Sequence, residues 1–270
     1  MKYYLVNKLA NNGIEPKLNE GVKVVDAFNL DYPKYFSKLE KNDEVVLVGG
    51  DGTINHFINA MKGHPINNNV YLLGNGTGND FLNDINKTIN EEVLLNPYFK
   101  NLPTVRVNGI ERLFINNMGF GIDGYCCEEA DKIKAVEPNK AINYTAIAIK
   151  GLLYKFKPCH AEITVDGKKY EYDNVWLAPA MKGRFYGGGM MVAPGQDRNS
   201  DKLTVVVYTC KSKLKSLIVF PEIFEGKHVR HTDMVKVIEG NKVHVKFSRP
   251  CAAQIDGDTV LNVTEYDAEL

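Results

Sequence analysis

Hydrophobic and polar positions follow two rhythms along this chain. Before residue 104, short unbroken apolar runs end at glycine or polar turns: Tyr3-Tyr4-Leu5-Val6, Val45-Val46-Leu47-Val48 and Val70-Tyr71-Leu72-Leu73. Runs without alternation are what strands buried on both faces require, and such strands occur mainly in parallel sheets. Tyr32 to Lys41 and Thr53 to Lys62 read as helices between them, the second with Thr53, Ile54, Phe57, Ile58 and Met61 at helical spacing. Strands alternating with helices predict a doubly wound α/β domain over residues 1–104.

After Asn96-Pro97-Tyr98-Phe99-Lys100-Asn101-Leu102-Pro103 the texture changes. Val105 to Val107, Leu113 to Met118, Ala161 to Val165, Asn174 to Ala178, Leu203 to Tyr208 and Val243 to Phe247 read as strands separated by turns, and Val165-Asp166-Gly167-Lys168 is a hairpin signal. One helical insertion, Ala141 to Tyr154, interrupts them. Residues 105–270 are therefore expected to form a largely antiparallel β domain.

Candidate chemistry sits where the apolar runs stop. Gly49-Gly50-Asp51-Gly52-Thr53 lies on a strand-to-helix turn, where backbone N–H groups and a helix dipole receive anions and absent Cβ atoms let phosphates approach. A carboxylate beside phosphates repels them unless a cation intervenes or it handles a proton, so Asp51 reads as a metal or acid–base residue. The second run ends similarly, at Gly74-Asn75-Gly76-Thr77-Gly78-Asn79-Asp80. Ligands of open α/β sheets bind outside the carboxyl ends of strands, so both loops are expected to face one crevice. Asn79 and Asp80 also read as a helix N-cap. Neither loop has the spacing of a Walker P-loop or of a dinucleotide fingerprint.

Composition narrows the setting. The chain has 270 residues, 44% of them hydrophobic, enough for a sizeable core. Its five cysteines show no paired spacing apart from Cys126-Cys127, which points to a reduced cytoplasmic protein. The opening Met1 to Val6 reads as a buried strand, too short for a signal peptide, and no apolar run nears the roughly 20 residues of a membrane span. Net charge is zero, yet Tyr208 to Arg249 holds nine Lys or Arg against four Asp or Glu. Lys211, Lys213 and Lys215 beside Leu214, Leu217, Ile218 and Phe220 suggest contact with an anionic lipid surface, or simply a solvated face. Nucleic acid is not expected, because the basic cluster has few interleaved aromatics and no recognised motif.

Both glycine loops, with Gly187-Gly188-Gly189-Met190-Met191-Val192-Ala193-Pro194, Asp201-Lys202-Leu203-Thr204-Val205 and Gln254-Ile255-Asp256-Gly257-Asp258, resemble the diacylglycerol kinase catalytic domain family, which includes bacterial lipid kinases and sphingosine kinases. The resemblance implies a phosphofructokinase/NAD-kinase-like first domain that binds nucleotide and a β-rich second domain that takes the lipid acceptor, with the extreme C-terminus returning to the first. It implies transfer of the ATP γ-phosphoryl group to a lipid hydroxyl with Mg²⁺, by a cytoplasmic enzyme visiting the membrane surface; a homodimer is compatible with it. Asn7, Gly49, Gly50, Gly52, Thr53, Gly76, Thr77 and Asn79 would hold ATP, and Asp51 and Asp80 would organise Mg²⁺. Phe185, Met190 and Met191 would line the lipid path or belong to the core.

Three departures from the family pattern stand out. The family's C-terminal Asp-Gly-Glu is Asp256-Gly257-Asp258 here, which puts Asp258 forward as general base, with Asp256 beside it, on a side chain one methylene shorter. The same residues also read as a hairpin turn. The N-terminal serine-glycine turn is replaced by Lys8 to Gly13. The loop Pro194 to Asp201 lacks the usual acidic pattern, although Asp197, Asp201 and the Leu203 carbonyl retain oxygens for a structural Mg²⁺. Two alternatives stay open: a soluble-acceptor kinase related to NAD kinase, and a nucleotide-binding protein with weakened or lost catalysis.

Overall fold

Two sheets divide the chain, and the computed structural model describes residues 1–7, 18, 21–76, 78–137, 140 and 142–270 of it. The first sheet holds β1 (Lys2–Val6), β2 (Lys23–Asp26), β3 (Glu44–Gly49), β4 (Asn69–Gly74) and β5 (Glu92–Leu94) in the order β2-β1-β3-β4-β5. Only β5 runs antiparallel to its neighbour. Val45, Val46 and Leu47 are completely buried, as the unbroken apolar run demands. On one face Leu5, Val45, Leu47 and Leu72 pack against α1 (Tyr32–Phe36), α2 (Asp51–Ala60) and α3 (Asp80–Asp84) through Phe36, Phe57 and Phe81. On the other, Tyr4, Val6, Val46 and Val48 form a separate cluster with Leu18 and Val22. The expected helix to Lys41 stops at Phe36, where the Ser37 N–H closes on the Pro33 carbonyl.

The second sheet begins with β6 (Thr104–Val107), β7 (Ile110–Leu113) and β8 (Asn117–Phe120). It continues with β9 (Cys159–Val165), β10 (Lys168–Leu177) and β11 (Ala180–Met181), passes a small hairpin of β12 (Phe185–Tyr186) and β13 (Met190–Met191), and resumes at β14 (Leu203–Thr209). β15 (Val235–Gly240), β16 (Lys242–Ile255) and β17 (Asp258–Glu269) complete it. The long β16 pairs β8 through its last residues and β9 through its first, so β9-β10-β14-β11-β8-β16 closes on itself. Its interior packs Phe120 on Phe247, ring centroids 4.0 Å apart, beneath Tyr266.

Four expectations are corrected here. Leu113 to Met118 is not one strand: residues 114–116 break it, for a reason given by Asp256 below. A helix, α4 (Ile122–Val136), follows β8 where none was expected, although Ile122, Cys126 and Ala130 are buried at a spacing of four. The insertion is α5 (Tyr144–Lys150) running on into a wider turn over Gly151–Lys155, and residue 141 lies outside the described residues. α6 (Lys213–Val219) is the remaining α-helix among the described residues. The C-terminal strand stays in the second sheet, with Asp267 to Glu269 beside Arg106 to Thr104, instead of returning to the first.

Candidate active site

Parallel strands bring the two glycine loops to one sheet edge. Gly49 and Gly74 are register partners, and the Asn75 N–H continues the ladder to the Gly49 carbonyl. Beyond them the backbones of Gly50 and Gly76 touch: a Cβ on Gly50 would lie 2.9 Å from the Gly76 Cα, so the loops meet only because both residues lack one. Thr53 folds back over Gly49, while the Cβ position of Gly52 opens onto free space. Asn79, at φ 53°, donates from Nδ2 to the Gly76 carbonyl and leaves its buried Oδ1 without a partner. Asn7 follows β1 at the same edge. Thr77 and Lys8 to Gly13 lie outside the described residues.

Asp51 turns from this edge toward the second domain. Its Oδ1 accepts from the Phe81 N–H (2.8 Å) and Asn116 Nδ2 (2.9 Å), and its Oδ2 from the Asp80 N–H (2.9 Å). It thereby caps α3, the work the sequence assigned to Asn79 or Asp80. Asp80 instead accepts from the N–H groups of Gly188 (2.9 Å) and Gly189 (2.7 Å) across the seam. Gly187, Gly188 and Gly189 all have positive φ, the conformation that turns those N–H groups toward the carboxylate. At the other end of α3, Asp84 holds Arg184 Nε (2.8 Å) and Arg198 Nε (2.6 Å). A five-residue helix is thus pinned at both ends to the second domain.

Asp256 and Gly257, both at positive φ, form the two-residue turn between β16 and β17. The Asp256 carboxylate accepts the N–H groups of Ile115 (2.6 Å), Asn116 (2.8 Å) and Asn117 (2.9 Å), and Asn55 Nδ2 (2.7 Å). Backbone spent on this carboxylate cannot ladder, which explains the strand break at residues 114–116. Asp258 lies on the far side of the turn, with a side chain 60% exposed and paired with Arg112 at 2.7 Å. Asp258, put forward as general base, is thus directed outward by strand alternation after the turn and does not line the cavity that Asp256 and Gly257 face.

A cavity of about 560 Å³ opens along the seam, lined by Asp51, Asp80, Asp256 and a fourth carboxylate, Asp123 on α4. Beyond Asp123 its wall is apolar, with Ile122, Leu177, Met190, Phe220 and Ile223. Phe185 and Met191 do not line it, nor do Gly49, Gly50, Gly52 and Thr53, which stand behind Asp51. Asp123 Oδ2 is buried without a hydrogen-bond partner, and so is Nδ2 of neighbouring Asn117. Burial pushes Asp123 up to about 6, against the pull of the Gly124 N–H and the Tyr186 hydroxyl. Burial also raises Asp256 to about 6, and burial with the nearby Asp51 charge raises Asp80. Sequence reasoning missed Asp123, although Gly121-Ile122-Asp123 repeats at the end of β8 the glycine-then-aspartate pattern that follows β3.

Comparison with known proteins agrees with this architecture. The model of the diacylglycerol kinase catalytic domain matches residues 6–101, and that of the YegS C-terminal NAD kinase beta sandwich-like domain matches residues 116–265. The chain belongs to the diacylglycerol kinase catalytic domain family. A diacylglycerol kinase of Mycobacterium tuberculosis is 26% identical over 252 residues, 88% of this chain and 80% of the relative. One of Bacillus subtilis is 25% identical over 232 residues, 82% and 72% respectively. A crystal structure of a diacylglycerol kinase from Bacillus anthracis shares the fold, with a TM-score of 0.66 at 18% identity over 99% of this chain and 93% of that one.

The structural Mg²⁺ that the family resemblance places in the loop before β14 does not fit this chain. Asp197 Oδ1 is taken by the Asn199 N–H (2.9 Å), and the ammonium of buried Lys182 occupies the loop, held down at about 8 by burial with Arg198 pressing the same way and Asp197 and Asp201 opposing. Leu203 is buried in β14. Among the described residues no group of three His, Cys, Asp or Glu is placed to hold a metal alone. The seam differs: four carboxylates and no lysine or arginine among the described residues line its cavity, so a polyphosphate entering there must bring its own cation.

Proposed function

We propose that this lipid kinase family member transfers the γ-phosphoryl group of ATP, carried with Mg²⁺, to the hydroxyl of a membrane lipid held in the seam cavity. One observation carries the reading: a cluster of carboxylates at the mouth of the glycine loops opens directly onto an apolar wall. Phosphoryl transfer needs positioning, charge neutralisation and a group that takes the hydroxyl proton. Mg²⁺, bound through the phosphates with Asp51 and Asp80 nearest, would supply the neutralisation.

Gly49, Gly50, Gly52, Thr53, Gly76 and Asn79 lie where ATP phosphates would be received, with Asn7 at the same edge. Asp51 is suited to take the proton, because Oδ2 has a single N–H partner and keeps a lone pair. Asp123 and Asn117 offer a bare acceptor and a bare donor for the lipid's polar head. On the exposed side of α6, Leu214 and Ile218 are 70% and 66% accessible, one turn apart, and Phe220 and Ile223 just beyond line the cavity. We read this as the edge that meets the bilayer. Lys215 is paired with Asp233 and Lys213 with the Leu153 carbonyl, which leaves Lys211 to join the apolar pair in that contact.

The test supplies labelled ATP and Mg²⁺ with vesicles of total bacterial lipid, then with NAD, reads products by mass spectrometry and pellets the vesicles to read bound protein. A phosphorylated lipid and co-sedimentation are expected. Labelled NAD, or ATP binding without transfer, would overturn the reading.

A further inference from the structure

The loop from Pro194 to Leu203 is where a divalent ion would be sought in this fold, and several of its oxygens, though not the Asp201 carboxylate, already accept hydrogen bonds. Lys182, immediately after β11, is 3% exposed, and its Nζ donates to the Ser200 carbonyl at 2.9 Å. Asp197 and Asp201 are the acidic neighbours that favour its charge. Gln196, also buried, donates from Nε2 to the carbonyls of Asp197 and Lys202, both at 3.0 Å, while its Oε1 accepts from Thr204 Oγ1 at 2.5 Å. Nitrogen donors thus hold three loop carbonyls and one carboxylate oxygen that a cation would otherwise collect. A buried ammonium is costly unless paired and hydrogen-bonded; this one has the Ser200 carbonyl as acceptor and the charges of Asp197 and Asp201 in its favour, with Arg198 against it.

We propose that the Lys182 ammonium is the resident cation of this loop, so that the chain holds by a covalently attached charge what a divalent ion would otherwise hold. Lysine is suited to this, being a compact point charge on a flexible stem. The consequence reaches the seam. Arg198, inside the loop, donates to the Ile115 carbonyl (2.5 Å), Asn116 Oδ1 (2.6 Å) and Asp84, and Asn116 in turn donates to Asp51. The loop that Lys182 fixes is therefore tied by two side chains to the carboxylate at the cavity mouth. None of this depends on which acceptor the cavity takes.

Mn²⁺ binding to the full chain without nucleotide, followed by electron paramagnetic resonance, tests the proposal alongside thermal melts in EDTA and in about 10 mM Mg²⁺. Any Mn²⁺ bound by the wild type is expected to be unaffected by Asp197→Asn and Asp201→Asn, with melting temperatures in EDTA and Mg²⁺ within about 1 °C, since an ion that does not bind the loop cannot stabilise it. Mn²⁺ binding lost in either variant would overturn the proposal. Lys182→Met keeps most of the stem and removes the charge, and it is expected to gain an Mn²⁺ site that Asp201→Asn abolishes. A folded Lys182→Met that gains none would also overturn it; if that variant fails to fold, the wild-type comparison decides alone.

Discussion

The floor and the wall of the seam cavity use carboxylates in opposite ways. On the floor, Asp51, Asp80 and Asp256 accept three, two and four N–H donors respectively, each drawn from a segment distant in sequence. They are the mortar between the domains. On the wall, Asp123 keeps one oxygen bare at a depth where an unpaired polar atom costs about 1–3 kcal/mol. Four aspartates around one cavity therefore divide into three that build it, of which Asp51 still keeps a lone pair on Oδ2, and one with an oxygen left wholly unpartnered for whatever enters.

Removing a floor carboxylate tests that division most severely. Asp256→Ala orphans three backbone N–H groups and the Asn55 amide, and it is expected to cost about 3 kcal/mol or more of unfolding free energy in urea titrations. A loss below about 1 kcal/mol would show that the donors find water and that the floor is not structural.

Asp123 should behave in the opposite sense. Its folded value of about 6 lies above the unfolded 3.8, so its contribution to stability is full below about pH 4 and lost as pH rises through about 6. Asp123→Asn should remove that slope and gain on the wild type by on the order of 2 kcal/mol between pH 4 and pH 7. Thermal melts across that range check it, and parallel profiles for the two proteins would place the carboxyl in contact with water. In turnover, the same variant should raise the acceptor KM by about tenfold, one lost hydrogen bond, with the ATP KM unchanged.

The difference between floor and wall also explains what was legible in the sequence. β3 and β4 and their glycine loops were readable because burial on both faces leaves an unbroken apolar run, and a close backbone approach leaves glycine. The roles of the aspartates were not. Whether Asp256 or Asp258 faces the cavity depends on the parity of a two-residue turn and on a strand break more than a hundred residues earlier. Asp123 escaped notice because its neighbours Asn117 and Gln254 converge only through the closed sheet, and Tyr186 only from the small hairpin beside it. The loop before β14 kept two acidic residues that suit a metal, while the lysine proposed to stand in for one lies earlier, beyond β11. Short motifs announced that phosphate chemistry was present; long-range packing decided which oxygen is available.

The most direct test is a single-turnover comparison of phosphoryl transfer by the wild type, Asp51→Asn and Asp258→Asn, with ATP binding measured separately by titration. Placement of Asp51 at the cavity mouth and of Asp258 in solvent predicts at least about a hundredfold loss for Asp51→Asn, the low end for general-base catalysis, with ATP still bound. It predicts a rate within about threefold of wild type for Asp258→Asn, whose exposed ion pair with Arg112 contributes little. The reverse pattern, with Asp51→Asn near wild type and Asp258→Asn inactive, would contradict the account.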